Sequence, residues 1–291
     1  MIVSSHGMRV LKTKEEGVVL KKFLKVIIIG VVCGALSLIL ADNQDGVSKV
    51  VCMVSVALFG TMISACYEFI DTHGQGLKLW FQSQIRYRNK DIRLSVSYLY
   101  RIKVQGKYLL VRGNRLRNQF QPVGGVYKYY REAKRFLDDI QCKGDTRMKN
   151  NEDDDDLRIT LQGKQVLKFF DWFLSMKDRE YDPLREFREE LIQPGILPEK
   201  EFSVIDYRKV YTYKTAIQFS QYMQCNEILY SDIFEIQLND EQKRILVEKM
   251  KERDDRICWV TEEEIKSLCA DGIEKNLGTN TPWILGGEEH E

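Results

Sequence analysis

Histidine is nearly missing from this chain. Three stand among 291 residues, His6, His73 and His290, and all fall outside the soluble fold that the patterning predicts. A histidine-based triad, a zinc deaminase centre or an HD-type phosphohydrolase therefore has no imidazole to use in the core. Paired cysteines are missing too. Cys33, Cys52, Cys66, Cys142, Cys225, Cys258 and Cys269 are scattered with no Cys-X-X-Cys, which indicates neither a disulfide framework nor a zinc site. Nor does one sign of charge dominate. Lys and Arg number 44 against 43 Asp and Glu, a net +1, so no overall field draws the chain to a DNA or RNA duplex. Chemistry here must run on carboxylates, lysine, arginine, tyrosine or a metal.

Apolar residues, by contrast, are concentrated. Residues 23–41 and 50–67 form two runs with DNQDGVSK lying between them, each close to the ~20 residues that a spanning helix needs. Lys25 sits where its stem can snorkel. A signal peptide fits poorly, because the second run follows at once and no Ala-X-Ala site lies between. The expectation is a two-helix transmembrane hairpin behind a short segment, 1–22. Arg9, Lys12, Lys14, Lys21, Lys22 and Lys25 precede the first run, and Lys78, Arg86, Arg88 and Lys90 follow the second, whereas the connecting loop holds only Lys49. The positive-inside rule places both ends in the cytoplasm, and a reducing compartment suits the unpaired cysteines. Gly30-X-X-X-Gly34 and Gly60-X-X-X-Ser64 have helix-packing spacing. Glycine is also simply common in membrane helices, and the spacing alone does not separate the two accounts.

Residues 68–92 read as an amphipathic connector with Trp80 and Phe81 among basic residues. A domain at 93–275 follows, then a loose tail at 276–291. Ser95–Val104 and Lys107–Arg112 alternate around Gln105-Gly106, a hairpin. Gln121-Pro122-Val123-Gly124-Gly125 comes next, where glycines allow a tight turn. A long insertion, 131–170, contains a helical stretch (131–140), a polar stretch ending in Asp153 to Asp156, a strand (157–161) and the start of a helix (164–173). The four aspartates read better as a solvated loop than as a metal site. Strands are predicted at 202–213, 216–223 and 228–238, a helix at 240–253, and a strand-to-helix junction at 257–265 with Thr261 as N-cap. The predicted class is α/β, a layered sandwich.

Arg185-Glu186-Phe187-Arg188-Glu189-Glu190 is the densest chemistry. Asp182 as N-cap and Pro183 at N1 start a helix. Leu184, Phe187 and Leu191 give it a buried stripe. Glu186 and Glu190 are four apart and share a face, with Glu189 beside them. Carboxylates so close repel one another unless a cation offsets them, and Mg²⁺ is the hard, oxygen-seeking ion that pairs with phosphate substrates. The plainer alternative is a solvated acidic face.

Together these features resemble the two-transmembrane Nudix-domain effectors of bacterial cyclic-oligonucleotide antiphage systems (CBASS), the SMODS-associated Nudix family. The marks are the Gln-Pro-Val-Gly-Gly run, the long insertion, and Arg179-Glu180 followed by Pro183 to Ile192. The resemblance implies a Nudix-like α/β/α sandwich behind the membrane hairpin. Glu186, Glu189 and Glu190 match the family's metal-binding glutamates, Arg185 the arginine that orients them, and Gln121, Gly124 and Gly125 a nucleotide-facing turn. Glu189, Glu190 and Arg185 are then the catalytic candidates. The family's opening glycine and glutamate have Asp171 and Lys177 in their places, and its later glycine corresponds to Gly195, displaced and preceded by Pro194. The implied function is an effector in the bacterial inner membrane that senses a cyclic oligonucleotide made by a partner nucleotidyltransferase. It would assemble as a homo-oligomer in membrane lipid and disrupt the bilayer, causing abortive infection. The alternative is a Mg²⁺-dependent hydrolase of a nucleoside diphosphate-linked compound, with the hairpin as a passive anchor.

Overall fold

The computed structural model describes residues 25–35, 38–39, 46–113, 119–148, 155–268 and 277–286. The chain divides into two units. One comprises residues 1–90 and 162–175, the other residues 91–161 and 176–291.

In the first unit, α1 (Lys25–Ala35) is a short apolar helix. The rest of the first predicted span lies largely outside the described residues. Next comes α2 (Gly46–Phe81), about 54 Å long at 1.5 Å per residue. Its stretch Gly46–Ser64 is long and apolar enough to cross a membrane, and it is the one such helix among the described residues. The predicted connector is therefore mostly a continuation of this helix, which ends in a π-helical turn, Gln82–Arg86. Gly30 lies against Met62, and a Cβ there would collide with its sulfur. A Cβ on Gly34 would stand 3.1 Å from the Phe59 ring. Gly60 faces open space, and the Ser64 hydroxyl donates back to the Gly60 carbonyl (3.3 Å).

The second unit is built on two sheets. It contains β1 (Asp91–Arg101), β2 (Lys103–Val104), β3 (Lys107–Arg112), β4 (Phe120–Gln121) and β5 (Gly124–Val126). After α3 (Lys134–Asp139) come β6 (Lys143–Gly144) and β7 (Arg158–Gln162). The chain then passes through α4 (Val166–Leu174), which belongs to the first unit, and returns with α5 (Leu184–Phe187). There follow β8 (Asp206–Lys214), β9 (Gln218–Ser220), β10 (Cys225–Gln237), α6 (Asp240–Lys249), β11 (Ile257–Val260) and α7 (Glu262–Ser267). The larger sheet runs β6-β7-β1-β10-β8, with β5 added to β1 and β9 to β10. The smaller runs β11-β3-β2, with β4 on β3.

The central strands β1 and β10 are parallel, from Arg93 opposite Glu227 to Arg101 opposite Glu235. Both are nearly continuously buried, as central strands covered on both faces should be. What reads in sequence as one strand, 95–104, is two. The chain leaves the large sheet after Arg101 and enters the small one at Lys103. Gln105 and Gly106, both at positive φ, make the tight turn into β3. Leu99, Leu110, Phe120, Ile233, Cys258, Val260, Ile265 and Ile284 form a common core. A capping box joins Thr261 and Glu264 at the start of α7, so the junction at 257–265 takes the form its residues predict. A second box, Asn239 with Gln242, starts α6. The expected strand at 202–213 starts only at Asp206. Phe202 and Ile205 are buried within irregular chain, so their apolar character reflects burial and not strand.

Candidate functional site

The residues Arg185 to Glu190 lie on a helix of two kinds of turn. Pro183 lacks an N–H and precedes the first helical residue, and the Asp182 carboxylate accepts from Leu184 N at 3.0 Å. Asp182 thus supplies the side-chain cap, although the helix begins one residue later than its spacing predicts. Phe187 and Leu191 are fully buried and fix the inner face. From Arg188 to Ile192 the helix widens into a π turn, closed by Gln193 N donating to Arg188 O at 2.8 Å. A π turn carries more residues than an α turn.

Arg185 is the hub. Its Nε donates to Glu180 Oε1 at 3.0 Å, one Nη to Glu186 Oε1 at 2.6 Å, and the other Nη to the Val126 carbonyl at 3.0 Å. A longer bond, 3.4 Å, reaches Glu189. Charge-assisted bonds of this kind are the strong ones. Glu180, itself buried, also accepts from Lys128 N at 3.1 Å. Glu190 accepts from Gly124 N at 3.0 Å.

Those bonds explain the glycines. β5 pairs antiparallel with β1, Gly124 opposite Leu99 and Gly125 opposite Tyr98. A Cβ on Gly125 would occupy the place of the Glu186 carboxylate, and one on Gly124, whose φ is +151°, would collide with the Tyr98 carbonyl. Both positions thus need the missing side chain. Gln121 is different. It sits on β4 in the smaller sheet, near Gly278, and no hydrogen bond joins it to the carboxylates among the described residues.

The electrostatics follow from one cation among four acids. Burial pushes the Glu190 carboxyl up to about 8; the Gly124 N–H pulls against this, while Glu186 and Glu189 add to it. Burial also raises Glu186, with Arg185 opposing. Burial works against the charge of Arg185, but Glu180 and Glu186 outweigh it and hold the guanidinium protonated. A carboxylic acid that titrates near neutral pH is suited to general acid–base work. As for metal, the oxygen donors are of the hard type that Mg²⁺ prefers. In this arrangement, however, Arg185 holds Glu186 and Glu189 while Glu190 is drawn to Gly124. Among the described residues no group of three or more His, Cys, Asp or Glu converges so as to hold a metal ion. The side chains as placed do not fit one, and the guanidinium supplies the positive charge there.

The sequence signal missed the role of Glu180. It lies outside the helix, five residues before Arg185, and no helical spacing links the two. Of the four aspartates 153–156, the described pair is Asp155 and Asp156, and Asp156 is held by Arg158 at 2.8 Å.

Two comparisons bear on identity. None of the proteins of curated function matches the chain. The sequence profile of the SMODS-associated NUDIX domain matches residues 91–285. The match covers most of the chain, takes in both sheets, the glycine turn and the carboxylate helix, and agrees with the mixed α/β architecture. The chain belongs to the SMODS-associated NUDIX domain family.

Proposed function

We propose that this chain is a membrane-anchored effector of a cyclic-oligonucleotide-based antiphage system (CBASS). The NUDIX-like domain senses a cyclic nucleotide, and the apolar helices respond by assembling and disrupting the bacterial inner membrane. The carrying observation is how α2 ends. Gly163 N donates to Lys90 O and Lys164 N to Arg88 O, both at 3.0 Å, and Gly163 lies so close to the Tyr87 carbonyl that a Cβ would not fit. A passive tether needs no such joint. Here a stretch within the matched NUDIX region, 162–175, is built into the same unit as the apolar helix. Its chain leads on from Met176 to Glu180 and so to Arg185. A ligand that changes the carboxylate region thus has a covalent route to the helix, and it shifts the response by its differential affinity for the two states.

In this reading Gly30 and Gly34 serve helix packing. Val47, Val50, Met53 and Val54 on α2 are exposed, a surface for lipid or a second copy. The N-terminus and the NUDIX-like domain face the cytoplasm, and the active form is a homo-oligomer. The test is the full chain in dye-loaded liposomes, challenged with cyclic di- and trinucleotides. Release with one of them is expected, lost in Gly30→Leu with Gly34→Leu while nucleotide binding persists. Leakage that ignores every nucleotide would sink the reading.

The titration of Glu190 near 8 favours a second reading, hydrolysis of a phosphoric anhydride with Glu190 as the proton-transfer group. Glu189→Gln with Glu190→Gln then removes turnover and toxicity together. Toxicity that survives in this variant is expected under the sensor reading and contradicts the hydrolase reading.

A further inference from the structure

Beyond β5, which lays Gly124 and Gly125 beside the carboxylates, the chain runs on to Tyr129 and Tyr130. There it borders a cleft of about 700 Å³, within the ~300–1,000 Å³ of small-molecule sites. Its lining has three kinds of chemistry. Tyr129 and Tyr130 are aromatic lining, and Tyr130 is 46% exposed. Arg131, in the 3-10 turn before α3, and Lys134, the first residue of α3, offer positive charge, and neither makes an ion pair among the described residues. Asp138 and Asp155 offer acceptors, and Leu137 and Ile159 are buried apolar lining.

That combination suits one class of ligand. An aromatic base stacks on tyrosine. A phosphate pairs with Arg and Lys. The N–H and O–H groups of base and sugar donate to aspartates. The cleft's third aspartate, Asp156, is paired with Arg158, whereas the carboxylate cluster sets four glutamates around Arg185 and repels an anion more strongly. We propose that this cleft, and not the carboxylate cluster, takes the nucleotide, a phosphodiester-linked and base-bearing ligand. The proposal rests on the sensor reading above and deepens it.

The cleft is also wired to the cluster. Tyr130 N donates to Asp178 O and Glu180 N to Lys128 O, both at 2.8 Å. The Glu180 carboxylate accepts from Lys128 N and from Arg185. A ligand that moves Tyr129 and Tyr130 therefore pulls on the segment 178–180, which holds Arg185 and leads back to α4.

Equilibrium dialysis of the full chain in detergent, against cyclic di- and trinucleotides with inorganic phosphate as control, reads retention by mass spectrometry. The expected result is retention of at least one nucleotide. Arg131→Ala with Lys134→Ala, and separately Tyr130→Ala, should weaken it at least tenfold, and Lys243→Ala with Arg244→Ala, an exposed basic pair on α6 away from the cleft, should not weaken it. All three cleft residues are exposed, so unchanged melting curves of their variants are expected to accompany the loss. Wild-type affinity in both cleft variants overturns the cleft assignment and leaves the sensor reading standing. Retention of no nucleotide by the wild-type chain overturns both.

Discussion

Arg93 and Arg185 are each ringed by carboxylates within one domain, but the balance of charge around them differs. Arg93 is buried and donates to Asp145 at 2.6 Å and Glu227 at 2.8 Å. Arg147 adds a second cation on the far side of Asp145 at 3.1 Å. Among the described residues two acids therefore face two bases, and the arginine bonds outweigh burial to hold the Asp145 carboxyl below its ordinary value. Around Arg185 four glutamates gather, and burial, with their mutual repulsion added to it, pushes Glu190 and Glu186 up. The first cluster is a clamp between β1, β10 and the segment after β6. The second stays short of positive charge, a cost to folding that a purely structural device would not carry.

The contrast is sharpest if each arginine is removed. Arg93→Met leaves the buried Glu227 carboxylate without its cation and Asp145 with Arg147 alone, and should destabilise the chain by about 3–5 kcal/mol, read by denaturant unfolding. Arg185→Gln acts at a partly exposed site, and the expected loss is about 1–3 kcal/mol. The cluster left behind is four carboxylates with no cation, so Mg²⁺ should recover part of that loss and none of the Arg93→Met loss. Equal indifference of both variants to Mg²⁺ would erase the distinction.

Titration sharpens it further. Glu190 is raised on folding, so between its ordinary value of 4.5 and about 8 the folded state binds the extra proton. Stability contributed by this group is full below 4.5 and is lost as pH rises through 8. Glu190→Gln, with a chelator present, should raise the melting midpoint by about 3–8 °C at pH 8.5 and by less than about 2 °C at pH 5. Asp145 has the reverse sign. Its folded value lies below 3.8, so its stabilisation is present above that pH and is lost only as pH falls below it. The smallest effect is therefore a loss confined to strong acid, absent in Asp145→Asn. A pH profile for Glu190→Gln parallel to the wild type would remove the physical basis for setting the two clusters apart.

The residues of the site were legible in sequence, but the geometry was not. Arg185 and the three glutamates announce themselves by identity and spacing, and the apolar stripe Leu184, Phe187, Leu191 fits an α-helix. The same stripe tolerates the π turn from Arg188, which spacing alone does not announce. Glu180 joins through tertiary contact alone. In the fold, the hairpin at Gln105-Gly106 and the capping box at Thr261 are local and were readable. The step between sheets at Ile102 was hidden because Ile102 and Val104 keep the burial period of β1. The excursion of 162–175 into the other unit leaves no local mark except Gly163, whose need is set by the Tyr87 carbonyl.

The pairing of β1 with β10 has a consequence in time. Arg93 and Glu227 stand 134 positions apart, and contacts between such distant strands make folding slow. Synthesis must therefore pass Gln237 before the large sheet can close. By then the apolar stretch Gly46–Ser64 has long since left the ribosome. Each new molecule thus presents its apolar helix to the cell before its NUDIX domain is finished, and that helix must be kept from aggregating in the interval.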